Sequence, residues 1–125
     1  MEEVFITREY LIANTNHVFV FGDNLERRGL GGAAKFRNFS NTYGFITKKQ
    51  PYNFDESFYT PEEYKEVYQK EIDALRGLMM TNPNVIYLIS KLGAGLANRY
   101  NIFENIIEPN IKNDLKEFNN KRFLW

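Results

Sequence analysis

Apolar residues in this chain fall into short dense runs, separated by longer stretches where they recur every third or fourth position. Val18-Phe19-Val20-Phe21 is apolar throughout, and so is Val85-Ile86-Tyr87-Leu88-Ile89. A strand with one wet face alternates, so continuous runs predict strands buried on both faces. Between them Tyr64, Val67, Tyr68, Ile72 and Leu75 recur at helical spacing with Glu, Lys and Gln in the gaps, which predicts an amphipathic helix. Its start is marked by Thr60-Pro61-Glu62-Glu63: a capping threonine, a proline in the first turn and a glutamate placed to complete a capping box. Asn82-Pro83-Asn84 ends it.

Weaker patterns fill in the rest. Val4–Ile6 predicts a short first strand, Thr7 caps a brief helical turn through Ala13, and Asn14-Thr15-Asn16 is a turn. A helix is expected from Gly32 to Phe39, and a short strand over Gly44-Phe45-Ile46-Thr47 leading into the polar loop Lys48–Tyr59. Phe103, Ile106, Ile107, Ile111, Leu115 and Phe118 form a last helical stripe that Pro109 breaks or kinks, and Arg122–Trp125 predicts a final strand. Helices alternating with buried strands predict one α/β domain over residues 1–125, with helices on both faces of the sheet.

Composition narrows the function classes. At 125 residues with 43% hydrophobic content, the chain is long enough for one packed core and too short for two. Sixteen basic and sixteen acidic residues cancel, which argues against bulk electrostatic binding of nucleic acid while leaving room for a local basic pocket. The absence of cysteine excludes disulfides, thiolate chemistry and cysteine metal sites, and one histidine cannot build a histidine-rich one. No metal and no cofactor are expected, and His17, at the head of a buried strand, reads as structural. The chain shows no apolar leader and no apolar run of membrane length, so it reads as soluble and cytoplasmic, without a membrane partner.

The candidate chemistry lies in two glycine loops. The first strand ends in Gly22-Asp23-Asn24 and is followed by Gly29-Leu30-Gly31-Gly32 and the helix start Ala33-Ala34-Lys35. Such a loop presents free N–H groups and lets an anion approach closely, as a phosphate site requires. It matches neither the Walker A nor the dinucleotide-fold spacing, and the same glycines also suit a plain strand-to-helix turn. The strand over Val85–Ile89 opens into a second loop, Lys91-Leu92-Gly93-Ala94-Gly95-Leu96-Ala97. Ligands of open α/β sheets bind outside the carboxyl ends of the strands, so two such loops suggest a ligand with more than one phosphate, or a diphosphate flanked by sugars. Lys48, Lys91 and Arg99 stand near them. Tyr43, Tyr52, Phe54, Phe58 and Tyr59 offer either stacking surfaces or core.

Three segments together resemble the macrodomain family, in the branch of the terminal ADP-ribose protein glycohydrolase and the antitoxin that removes ADP-ribose from DNA. His17–Phe39 is similar to the first family loop, Phe45-Ile46-Thr47-Lys48-Lys49, followed by the helix from Thr60, to the branch's strand end, and Ser90-Lys91-Leu92-Gly93-Ala94-Gly95-Leu96 to the second loop. The resemblance implies a compact three-layer α/β/α fold with a mixed sheet. It implies a ligand that is ADP-ribose or an ADP-ribosylated protein or nucleic acid. Gly29, Gly31, Gly32 and Ala33 would approach the distal ribose and phosphates, Gly93, Ala94, Gly95 and Leu96 would wrap the diphosphate, and Asp23 and Asn24 would reach the sugar beside Gly22. Lys48 falls at the catalytic lysine, and Trp125 where macrodomains often present an aromatic near adenine. Where the protein-directed hydrolase has an aspartate, this chain has Ala97, which leaves Asp23 as the candidate acid or base. A lysine nucleophile needs a lowered pKa, and the adjacent Lys49 is a candidate source of repulsion. A doublet of lysines at a strand end is equally a solvated edge, and Asp23 equally an Asx cap. Two classes of function follow, a hydrolase of ADP-ribosyl groups and a module that captures ADP-ribose or an NAD-derived nucleotide. A single-stranded nucleic-acid binder built on the aromatic loop is a third, opposed by the zero net charge.

Overall fold

The computed structural model describes residues 3–125. Four strands, β1 (His17–Asn24), β2 (Thr42–Lys48), β3 (Ile86–Ile89) and β4 (Lys121–Phe123), form one sheet in the order β2-β1-β3-β4. Every pairing in it is parallel. This corrects the mixed sheet expected above, while the α/β class stands. No two consecutive strands are joined by a hairpin; each connection crosses a sheet face before the chain returns, which is what parallel pairing demands.

The period of two along β1 sets the layers. Val18 and Val20 point into the larger core, with α2 (Pro61–Thr81), the π-turn Phe103–Ile107 and α3 (Ile111–Asp114). Phe19 and Phe21 point into a smaller core on the opposite face, with Leu11 of α1 (Arg8–Ala13) and Ala34 and Phe36 of a 3₁₀ turn, Gly32–Phe36. The α2 start matches its capping box: the Thr60 hydroxyl accepts from the Glu63 N–H and the Glu63 side chain accepts from the Thr60 N–H. Tyr64, Tyr68, Ile72, Leu75 and Met79 form its buried stripe. The same helix covers the exposed edge of β2, where Glu71 accepts from the Ile46 N–H at 2.6 Å and the Tyr64 hydroxyl donates to the Ile46 carbonyl at 2.5 Å.

Three local expectations are revised. Val4–Ile6 joins no strand, and is tied down by Val4 N–H donating to the Leu124 carbonyl at 2.6 Å. The expected helix from Gly32 to Phe39 is a 3₁₀ turn ending at Phe36. The stripe from Phe103 to Phe118 is divided around Pro109 into a π-turn and a short α3, because proline cannot continue the hydrogen-bond ladder. Among the described residues, no helix is long and apolar enough to cross a membrane.

Candidate functional site

In a parallel sheet all carboxyl ends lie along one edge. Here Asp23 and Asn24, Thr47 and Lys48, and Ser90 and Lys91 stand side by side there. The chain leaving β1 turns toward β2, whereas the chain leaving β3 turns toward β4. Adjacent strands whose exits diverge open a crevice between them. A cleft of about 460 Å³ occupies that position, and both glycine loops line it.

The glycines there divide into two kinds. Gly93 has φ +79°, and a Cβ would lie 2.6 Å from Cδ1 of Ile107, so the backbone and the core both require glycine. Gly22 lets the β1 end approach Thr47 and the second loop, since a Cβ would sit 3.1 Å from Thr47 Oγ1 and 3.9 Å from the Gly93 nitrogen. Gly31 and Gly95 are different. Gly31 has an ordinary φ of −79° and a Cβ would meet only Leu96 Cδ1 at 3.7 Å, while one on Gly95 would meet nothing within 4 Å. The fold has no need of glycine at either position, yet both line the cleft. The N–H groups of Gly29, Gly31, Gly32, Ala33, Gly93 and Gly95 donate to no acceptor among the described residues. Donors left unpaired at a cleft wall suit a ligand rich in acceptor oxygens.

Charge follows the same plan. Lys35, Lys48 and Lys91 line the cleft, and none has a carboxylate within ion-pair distance among the described residues. Lys48 is 9% exposed. Its ammonium donates to the Tyr52 carbonyl at 2.8 Å and lies 4.6 Å from the centre of the Phe58 ring. Burial pushes the Lys48 amine below the usual lysine range, and the Arg99 guanidinium, 4.3 Å from the same ring, adds to the effect. Lys49 is not the cause: it leaves the strand in the other direction and pairs with Glu63 at 2.7 Å.

Asp23 lines the cleft at 4% exposure, but its carboxylate is occupied. Arg37 grips it with both terminal nitrogens at 2.9 and 2.7 Å, the Asn24 N–H donates to it at 2.8 Å, and Arg27 approaches at 3.4 Å. Arg37 also donates through Nε to the Gly29 carbonyl at 3.0 Å, so one side chain joins the end of β1 to the first glycine loop. Asn24 is engaged as well, accepting from the Glu26 N–H at 3.0 Å and donating to the Arg28 carbonyl at 2.7 Å. The two polar residues at the strand end therefore shape the loop.

Of the candidate residues, Gly22, Asp23, Asn24, Gly29, Gly31, Gly32 and Ala33 come together in the cleft with Lys48, Lys91, Gly93, Gly95 and Leu96. Ala94 turns into the larger core instead. Arg99 pairs with Asp55 and reaches the site only through Phe58. Trp125 packs edge-on against Phe103 and Phe123 and is not part of the cleft wall. His17 accepts or shares a hydrogen bond with the Tyr10 hydroxyl at 2.6 Å, remote from the chemistry. Sequence reasoning missed Arg37, whose partner is fixed only by the fold, and the segment Val4–Ile6, which forms one lip of the cleft.

A family profile described as "Family of unknown function (DUF7831)" matches residues 1–101. No curated protein and no solved structure matches the chain. On the extent of that profile match, the chain belongs to the DUF7831 family, whose function is unknown.

Proposed function

We propose that this protein binds ADP-ribose across the cleft and hydrolyses ADP-ribosyl groups from a macromolecule, either protein or nucleic acid. The observation that carries the reading is Lys48: a buried amine without a carboxylate partner, depressed by burial and by Arg99, at the wall of a cleft whose two glycine loops present unpaired N–H donors. The likeness of those loops and of the Lys48 strand end to macrodomain segments supports the same ligand. In this reading the loops hold the diphosphate and Lys48 faces the distal ribose. The neutral amine attacks the anomeric carbon, a C–N bond forms as the bond to the macromolecule breaks, and the proton lost by the amine passes to the leaving atom. Water then cleaves the lysine adduct, releasing ADP-ribose and restoring the amine.

The occupied Asp23 and the apolar Ala97 favour a second reading, a module that captures ADP-ribose without turnover. Neither residue supplies a free carboxylate to activate water. Release of ADP-ribose from modified protein, DNA and RNA separates the two. The hydrolase reading expects Lys48→Ala to lower release at least about a hundredfold while ADP-ribose binding survives. Lys48→Arg fails equally, because a guanidinium stays protonated. A wild-type protein that binds ADP-ribose and releases none is a capture module. Release that persists in Lys48→Ala moves the chemistry off the lysine.

A further inference from the structure

The two edges of the sheet are finished differently. At β2 the backbone groups that face away from β1 belong to Gly44 and Ile46, and side chains answer them. Arg27 donates to the Gly44 carbonyl at 2.7 Å, Glu71 accepts from the Ile46 N–H at 2.6 Å, and the Tyr64 hydroxyl donates to the Ile46 carbonyl at 2.5 Å. At β4 the Tyr87 N–H donates to the Asn120 carbonyl at 3.0 Å and the Leu124 N–H to the Ile89 carbonyl at 2.9 Å. The backbone of Asn120, Arg122 and Leu124 therefore faces β3, and Lys121 and Phe123 turn their N–H and C=O groups outward. None of these four groups has a partner among the described residues. Val4 does not cover them, because it bonds to Leu124 on the β3 side.

An open edge is a template for another strand, and the charges beside it decide which kind. Lys112, Lys121 and Arg122 have no Asp or Glu within ion-pair distance among the described residues. The Lys112 ammonium stands beside the strand, 5.4 Å from the centre of the Phe123 ring, and Arg122 is exposed. The acids between Lys112 and Arg122 are engaged elsewhere: Asp114 accepts from the Tyr68 hydroxyl at 2.7 Å, and Glu117 pairs with Arg76 at 2.7 Å. Cations on a short edge discourage pairing with a second copy of this chain, which would bring like charges together. The same cations attract a strand of opposite sign. We propose that the outer edge of β4 docks an extended acidic segment of another protein, which joins the sheet as a further strand. Main-chain hydrogen bonds to Lys121 and Phe123 hold its backbone, and Lys112, Lys121 and Arg122 engage its carboxylates. None of these residues lines the cleft, so the inference is independent of what the cleft binds.

Amide hydrogen exchange of the full chain by nuclear magnetic resonance tests it, with a short peptide of alternating glutamate and valine as the probe. In the free protein the amides of Lys121 and Phe123 are expected to exchange fast and that of Arg122 slowly. Added peptide is expected to slow the Lys121 and Phe123 amides at least about tenfold. The same peptide with every backbone nitrogen methylated keeps its charge but cannot donate, and is expected to bind at least about tenfold more weakly. Lysine in place of its glutamates is expected to abolish binding, and Arg122→Glu to weaken the acidic peptide about tenfold. Equal affinity for the methylated peptide means that charge alone attracts it, and overturns the proposal. Absence of binding by the acidic peptide overturns it too. So do Lys121 and Phe123 amides that already exchange slowly in the free protein; protection lost on dilution then marks a second copy on the edge.

Discussion

The Asp23 carboxylate accepts from Arg37 twice, from the Asn24 N–H and from Arg27, and it fills the space where a side chain on Gly44 would be. A Cβ there would lie within 2.3 Å of Asp23 Oδ2, so the glycine at position 44 is explained by the carboxylate beside it. Residue type alone offered an acid, a base or a cap; the partners decide among them, and they are supplied from 14 residues further along the chain. Removing Arg37 takes away the close bidentate partner and leaves the buried carboxylate only the Asn24 N–H and the more exposed Arg27 at 3.4 Å. Arg37→Ala is expected to cost about 3–5 kcal/mol in denaturant unfolding and to free the Gly29 carbonyl from its anchor. A loss under about 1 kcal/mol contradicts the assigned role. Lys48 gives the complementary case, a charge without a partner. Its amine is lowered in the folded protein, so the unfolded chain binds more protons between that lowered value and the ordinary lysine value. Stability therefore rises with pH through this window, and Lys48→Met is expected to be more stable than wild type at neutral pH and to lack the rise. If ADP-ribose release depends on the neutral amine, release climbs over the same pH range, and Arg99→Gln shifts the climb to higher pH. A shift to lower pH contradicts the repulsion assigned to Arg99.

At the scale of elements, the parts with a strong local pattern were readable without the fold. The Thr60 capping box and the stripe from Tyr64 to Leu75 encode α2 by themselves, and the apolar runs encode β1 and β3. Elements whose geometry is set by neighbours were not. Gly32–Phe36 is a 3₁₀ turn in which Ala34 and Phe36 reach the smaller core, a result of packing on Phe19. Val4–Ile6 has strand-like composition but a single hydrogen bond to the chain end, and no ladder to join. The second glycine loop shows how tightly such an element is fixed. Gly93 holds a left-handed conformation directly against Ile107 of the π-turn. Gly93→Ala is expected to cost about 2–4 kcal/mol, from the unfavourable φ and the displaced isoleucine together. Unfolding within about 0.5 kcal/mol of wild type would show that the loop relaxes freely.

For the molecule as a whole, the strand order matters more than any one residue. The mixed sheet was expected from the macrodomain resemblance. The apolar runs show strands buried on both faces, as parallel strands are, but do not by themselves state direction, and every pairing is parallel. The parallel order β2-β1-β3-β4 brings both glycine loops to one edge and opens the crevice where the chain exits diverge. It also explains how a chain with zero net charge concentrates Lys35, Lys48 and Lys91 around one cleft. Gly31 and Gly95 allow this arrangement to be tested apart from folding, because a Cβ fits the backbone at both and both residues line the cleft. The decisive measurement is calorimetric titration of ADP-ribose into the wild-type protein, Gly31→Leu and Gly95→Leu, with thermal unfolding of each. One site in the wild type, near-wild-type melting in both variants, and affinity at least about tenfold weaker in each are expected. A wild-type protein that gives no binding heat and no change in melting with ADP-ribose, or folded variants that bind it as tightly as wild type, would contradict an ADP-ribose site in the cleft.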